Sequence, residues 1–216
     1  MDYGKMLGEA FEYAQEGLVG KWMKWLLLLV ATILLSLPLL GYALKVLRGE
    51  KPSPEVNDWG TLFIDGIKYA VIVIIYAIPL IIIAAVAAAP LVLAVITGNQ
   101  AAFLAAIGSF LVGLLVLVIV AIIIALFVCF GVIRFARTGS MGEAFNFSAI
   151  LATIGRIGWV SYILALIILF IIIGIGEAIL SAIPFIGQLL LFLITPFIVL
   201  FEARYMCQLY DSAGPA

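Results

Sequence analysis

The sequence predicts an all-α fold, a polytopic transmembrane helix bundle of about five spans with short interfacial helices. Three observations predict it. Apolar residues fill 67% of the 216 positions and charged residues 11%, where an average soluble domain is about 25% charged. Mean hydropathy is +1.35, more apolar surface than one soluble core can hide. Five apolar runs each reach the ~20 residues that carry a helix across ~30 Å of hydrocarbon. Their connectors alternate between basic polar loops and short turns without charge.

Composition also bounds function. With a net charge of −1, nothing suggests nucleic acid as a partner. Histidine is absent, which removes the commonest general base and the commonest transition-metal ligand. No catalytic, nucleotide-binding or metal motif stands out, so no enzyme activity, cofactor or metal is expected. Cys129 and Cys207 lie in apolar surroundings and read as reduced, buried thiols.

Residues 1–20 read as an amphipathic interfacial helix: Tyr3, Leu7, Phe11, Ala14 and Leu18 form an apolar stripe against Lys5, Glu9, Glu12 and Glu16. Residues 21–210 form one transmembrane domain, and 211–216 a short tail. Span one covers about 22–46. Its apolar run, behind Lys21 and Lys24, exceeds the ~7–15 residues of a cleavable signal. The others cover about 67–96, 101–133, 159–182 and 185–209. Pro38, Pro79, Pro90 and Pro196 fall inside apolar runs, where kinks are expected. Trp22, Trp25, Trp59 and Trp159 stand near span starts, as interfacial aromatics do.

Lys and Arg orient the bundle. Lys45, Arg48, Lys51, Lys68, Arg134, Arg137, Arg156 and Arg204 fall on one side of five spans, and Lys5, Lys21 and Lys24 on the other. The positive-inside rule then places the long loops and the C-terminus in the cytoplasm of a cell-membrane protein, with the N-terminus outside. The basic N-terminal tail resists this. The alternative is that Ser36-Leu37-Pro38 breaks the first run into a re-entrant hairpin, which puts the N-terminus inside; five full spans is the preferred reading.

A weak internal repeat runs through the chain. Gly41–Arg48 ends span one and Gly131–Arg137 ends span three, each with two cations three residues apart on one helical face. Asp58 and Ser140 then read as N-caps of interfacial helices, with Glu143 completing a capping box with Ser140. In the first, Asp58, Thr61, Asp65 and Lys68 share a face, away from Trp59, Leu62, Phe63 and Ile67. Spans two and three are expected to form a tight hairpin through 97–100. Its seam would set Ala101, Ala105, Ser109 and Gly113 against Ala84, Ala85, Ala88 and Ala89, since small faces let helices approach closely in lipid.

Gly41-Tyr42 with Lys45 and Arg48, then Asp58-Trp59-Gly60, Leu62-Phe63, Asp65-Gly66 and Lys68, resembles a prokaryotic membrane family, frequent in archaea, known as domain of unknown function 4013. The Asp-Trp-Gly-x-x-Phe-x-Asp-Gly stretch is the most specific part, and the likeness extends from span one to span five. The resemblance implies a multi-pass membrane protein and supplies no activity, ligand or catalytic residue.

Two groups of residues are candidate sites. Glu177 lies inside span four, where a charge is costly and tends to be functional. The plainer reading is that it reaches the outer interface or pairs with Gln188 across the turn. Lys45, Arg48, Asp58, Asp65, Arg134 and Arg137 gather on the cytoplasmic side as a partner-docking surface, or as caps and surface ion pairs. Tyr76 and Tyr162 either line a polar cavity or bond a backbone carbonyl. The expected role is a non-catalytic membrane scaffold, assembly or lipid-organising component. Its partners are the lipid bilayer and membrane proteins, a second copy included. The alternative is a transporter or channel for an ion or small solute using Glu177 and the proline-broken spans; a membrane enzyme is the weakest reading.

Overall fold

A computed structural model describes residues Met1–Gly214; the last two residues of the expected tail, Pro215 and Ala216, lie outside the described residues. Every regular element among the described residues is a helix, and none is a strand. The helices are α1 (Tyr3–Leu18), α2 (Trp22–Ile33), α3 (Leu37–Leu47), α4 (Trp59–Thr97), α5 (Gln100–Thr138), α6 (Phe147–Ile157), α7 (Trp159–Ser181) and α8 (Gly187–Asp211), with a 3-10 segment at Met141–Phe145. Four of them, α4, α5, α7 and α8, are long and apolar enough to cross a membrane.

The first apolar run is not one continuous helix. It breaks between α2 and α3, where Leu35 and Ser36 both adopt left-handed backbone conformations, φ 56° and 58°. Pro38 then sits in the first turn of α3, where its missing N–H costs nothing. With 12 and 11 residues, the two helices measure roughly 18 and 16 Å at 1.5 Å per residue, too short for a ~30 Å core. They pack on each other as a hairpin with an apolar tip, Leu35 being 85% exposed. Where one span was expected over about 22–46 the structure has two short helices, and four helices remain long and apolar enough to cross a membrane.

The chain forms two compact units, Met1–Ala70 with the residues from Cys129 onward, and Val71–Val128. In the first unit, α1 docks on α8. The buried stripe is Met6, Ala10, Tyr13, Ala14, Gly17 and Leu18; Phe11, expected on it, is half-exposed and meets Phe197 edge-on at 5.3 Å. α3 crosses the start of α4 at backbone contact. A side chain at Gly41 would run into the Leu62 carbonyl, and one at Gly66 into the Leu37 carbonyl. α7 and α8 pair antiparallel, joined by the Tyr205 hydroxyl donating to the Ala165 carbonyl at 3.1 Å.

The expected interfacial helix at 58–66 is instead the opening of α4, which runs unbroken for 39 residues through Pro79 and Pro90. The second copy does separate. Gly158, at φ 91°, divides α6 from α7. Ser140 makes no side-chain cap bond; Asn146 caps α6 by accepting the Ala149 N–H at 3.2 Å.

The second unit is the hairpin of α4 and α5, turning at Gly98-Asn99 as expected, with the Asn99 side chain capping α5 by accepting from Ala102 N–H at 3.0 Å. It carries no charged residue between Val71 and Val128. Its seam is displaced from the expected stripe. Gly113 lies against Ala87, and Ile72, Tyr76, Ala94 and Ala106 are buried. Ala101, Ala105, Ser109, Ala84, Ala85 and Ala89 face outward. The seam takes alternating small and large residues because helices approach where Gly113 and Ala87 meet and bulkier side chains fill the rest.

Candidate functional site

Several charged residues of the first unit meet at the ends of α3 and α5. Each helix leaves its last four carbonyls without intrahelical partners. Arg48 Nε donates to the Ala136 carbonyl at 3.2 Å, and Arg137 Nε donates to the Leu47 carbonyl at 2.7 Å. Each arginine therefore caps the helix that carries the other, at the residue just before it. These are the second cations of the two repeat copies, so corresponding residues of the repeat bond each other's helix here.

Carboxylates complete the arrangement. Arg48 Nη2 reaches Asp65 at 2.6 Å, and Lys68 lies 3.7 Å from the same carboxylate. Arg137 Nη2 reaches Asp211 at 2.8 Å and donates to the Cys207 sulfur at 3.0 Å. Arg134 pairs with Glu143. The Arg134 guanidinium, then the Asn146 amide, hold the Glu143 carboxyl below its ordinary value. Lys45 donates to Asn57 Oδ1 at 2.9 Å. Asp58 is exposed at the head of α4, its carbonyl accepting from Leu62 N–H at 3.0 Å. Of the six residues expected at this surface, Arg48, Asp65 and Arg137 are drawn into one knot, Arg134 is tied to Glu143, and Lys45 and Asp58 stay on the outside. Such a knot fixes helix ends; it offers no unpaired base beside a nucleophile.

A second cluster was not anticipated. Lys24, only 4% exposed, donates to Ser53 Oγ at 2.8 Å and to the Ser53 carbonyl at 3.1 Å. The Tyr42 hydroxyl donates to the Pro54 carbonyl at 2.7 Å and meets Ser53 Oγ at 2.9 Å. The Tyr13 hydroxyl donates to the Glu50 carbonyl at 2.9 Å. These bonds pin the 50–57 connector onto α1, α2 and α3. The Glu55 carboxylate lies 3.8 Å from the Lys24 ammonium. The available signal was a lysine spaced inside an apolar run, three residues beyond Lys21.

Glu177 is exposed on α7 and lines an open groove of about 480 Å³ with Ser181, Leu191 and Thr195. Gln188 is exposed too, and no bond joins it to Glu177 among the described residues. The two expected partners are not brought together. Tyr76 and Tyr162 are buried, Tyr162 against the Phe130 ring at 4.7 Å.

Over residues 25–185 the sequence matches the family described as "Protein of unknown function (DUF4013)". No curated protein and no solved structure is similar to the chain. The residues that carry the resemblance noted above now have a common place. Gly41 and Gly66 make the α3–α4 crossing, Tyr42 holds the connector, and Arg48 and Asp65 form the central ion pair.

Proposed function

The chain belongs to the DUF4013 family, and we propose that it is an integral membrane protein with a non-catalytic role, organising lipid or assembling with other membrane proteins. The observation that carries this reading is the charge-free hairpin of Val71–Val128. In the most apolar stretch of α5 no residue is buried within the protein. Lipid or another apolar surface must cover it. The polar chemistry supports the same reading: the conspicuous charges of the first unit serve as helix caps and connector ties.

Orientation follows from parity. Four crossings return the chain to its starting side, so both long connectors and both ends share one face. All eleven Lys and Arg then lie on it, and the positive-inside rule makes that face cytoplasmic.

One observation favours transport as a second reading, the groove shared by Glu177, Ser181 and Thr195. Ion flux into liposomes holding the purified chain tests both. The scaffold reading expects no flux above that of empty liposomes, and recovery of cross-linked partners or retained lipid from native membranes. Flux that falls at least about tenfold in Glu177→Gln, as loss of a charged pathway residue should produce, overturns it in favour of transport.

A further inference from the structure

The geometry points to a binding site for a phosphate-bearing anion between α1, α8 and the 48–53 connector. A groove of about 420 Å³ opens there, lined by Lys5, Lys51, Arg204 and Gln208 among others. Arg204 is 5% exposed. Its guanidinium lies over the Tyr13 ring at 5.3 Å and touches the Cys207 sulfur at 3.9 Å. Among the described residues, no carboxylate lies within ion-pair distance of it. A largely buried guanidinium whose bonded partner is a sulfur, a weak acceptor, lacks the anion that usually accompanies such a charge.

Gln208, one turn further along α8, makes the deficit larger. Its amide nitrogen and oxygen are both out of contact with solvent and have no hydrogen-bond partner. Buried polar side chains are normally satisfied. Two side chains of one helix face are therefore short of partners, and both line one groove.

The carboxylates of the groove are already engaged. Glu9 lies 3.8 Å from Lys5, Asp211 pairs with Arg137 at 2.8 Å, and Asp2 caps α1 by accepting the Lys5 N–H at 2.9 Å. Among the described residues that line the groove, Arg204 and Lys51 have no carboxylate within ion-pair distance. The missing occupant must carry several acceptor oxygens for Arg204 and Lys51. A phosphate meets that demand, and arginine is the side chain whose planar fork suits it best. Such a group comes from an anionic lipid headgroup or from a free phosphate. This goes beyond the scaffold reading and holds whether or not the protein transports anything.

The test uses the full chain purified in detergent. Native mass spectrometry counts lipid retained from vesicles of phosphatidylcholine with or without phosphatidylglycerol. Thermal unfolding with added inorganic phosphate or glycerol 3-phosphate probes the soluble source. One phosphatidylglycerol held per chain, with no shift from the soluble probes, assigns the site to a lipid. A raised unfolding midpoint with the soluble probes assigns it to a free phosphate. Either affinity should drop about threefold in Lys51→Gln, an exposed rim charge, and about tenfold or more in Arg204→Met. If Arg204→Met does not fold, Lys51→Gln decides. A folded wild-type chain that holds no phosphatidylglycerol and responds to neither soluble probe overturns the inference, as does binding that the Lys51 substitution leaves unchanged.

Discussion

Arg48 and Arg137 exchange hydrogen bonds with the carbonyls that precede one another, and the geometry needs a guanidinium. Nε of Arg48 points at the Ala136 carbonyl while Nη2 points at Asp65. One planar group thus holds two acceptors on different helices, which an ammonium on a flexible stem does poorly. Arg48→Lys keeps the charge and loses the fork. We expect it to destabilise the protein by about 1.5–3 kcal/mol, the value of one lost hydrogen bond to a charged group, read as a lowered unfolding midpoint in detergent. An unchanged midpoint would show that charge alone matters there. Lys45, held only by exposed Asn57, is the control: Lys45→Gln should change stability by no more than about 0.5 kcal/mol.

At the scale of elements, the α4–α5 hairpin depends on how closely its arms approach. Gly113 meets Ala87 so tightly that any side chain there must push the arms apart, whereas Gly108 has open space where a side chain would go. Gly113→Leu should therefore weaken the hairpin by about 1–3 kcal/mol, the usual cost of overpacking, and Gly108→Leu should be tolerated. Disulfide trapping between cysteines placed at Ala94 and Ala106 measures arm approach directly, and equal trapping in both variants would refute the seam. The existence of this hairpin was legible in the sequence because apolar length and the Thr97–Gln100 turn announce it. Its rotation was not: Ala and Gly occur on both faces of α5, so spacing alone chose the wrong set. The break at Leu34–Ser36 was legible only as the less favoured alternative at Ser36-Leu37-Pro38, for another reason. Left-handed turns usually advertise themselves with Gly or Asn, and here Leu35 and Ser36 adopt that conformation instead. Arg48 and Asp65 were legible as charges near a membrane surface. Their exchange with Arg137 and Ala136 was not, because it joins helix ends 88 and 90 residues apart in sequence.

For the whole molecule, the number of crossings decides which side every charge occupies. Five crossings divide the cations eight to three, with Lys21 and Lys24 beside the wrong end of span one. Four crossings and a hairpin that enters and leaves by one face gather all eleven together. The second arrangement also explains Lys24. Its ammonium is bound to Ser53, on the connector that follows α3, so the start of α2 and the exit of α3 lie side by side. A single span running from 22 to 46 would put those two points on opposite membrane faces, some 30 Å or more apart. Single cysteines at Gly4, Lys51, Ser140 and Ser212, in a chain with Cys129 and Cys207 replaced by alanine, put this to the test in sealed vesicles. A membrane-impermeant thiol reagent should label all four from one face, and cysteines at Asn99 and Phe185 from the other. Labelling of positions 4 and 51 from opposite faces would restore the fifth crossing and break the Lys24–Ser53 contact, because no lysine side chain reaches across a bilayer.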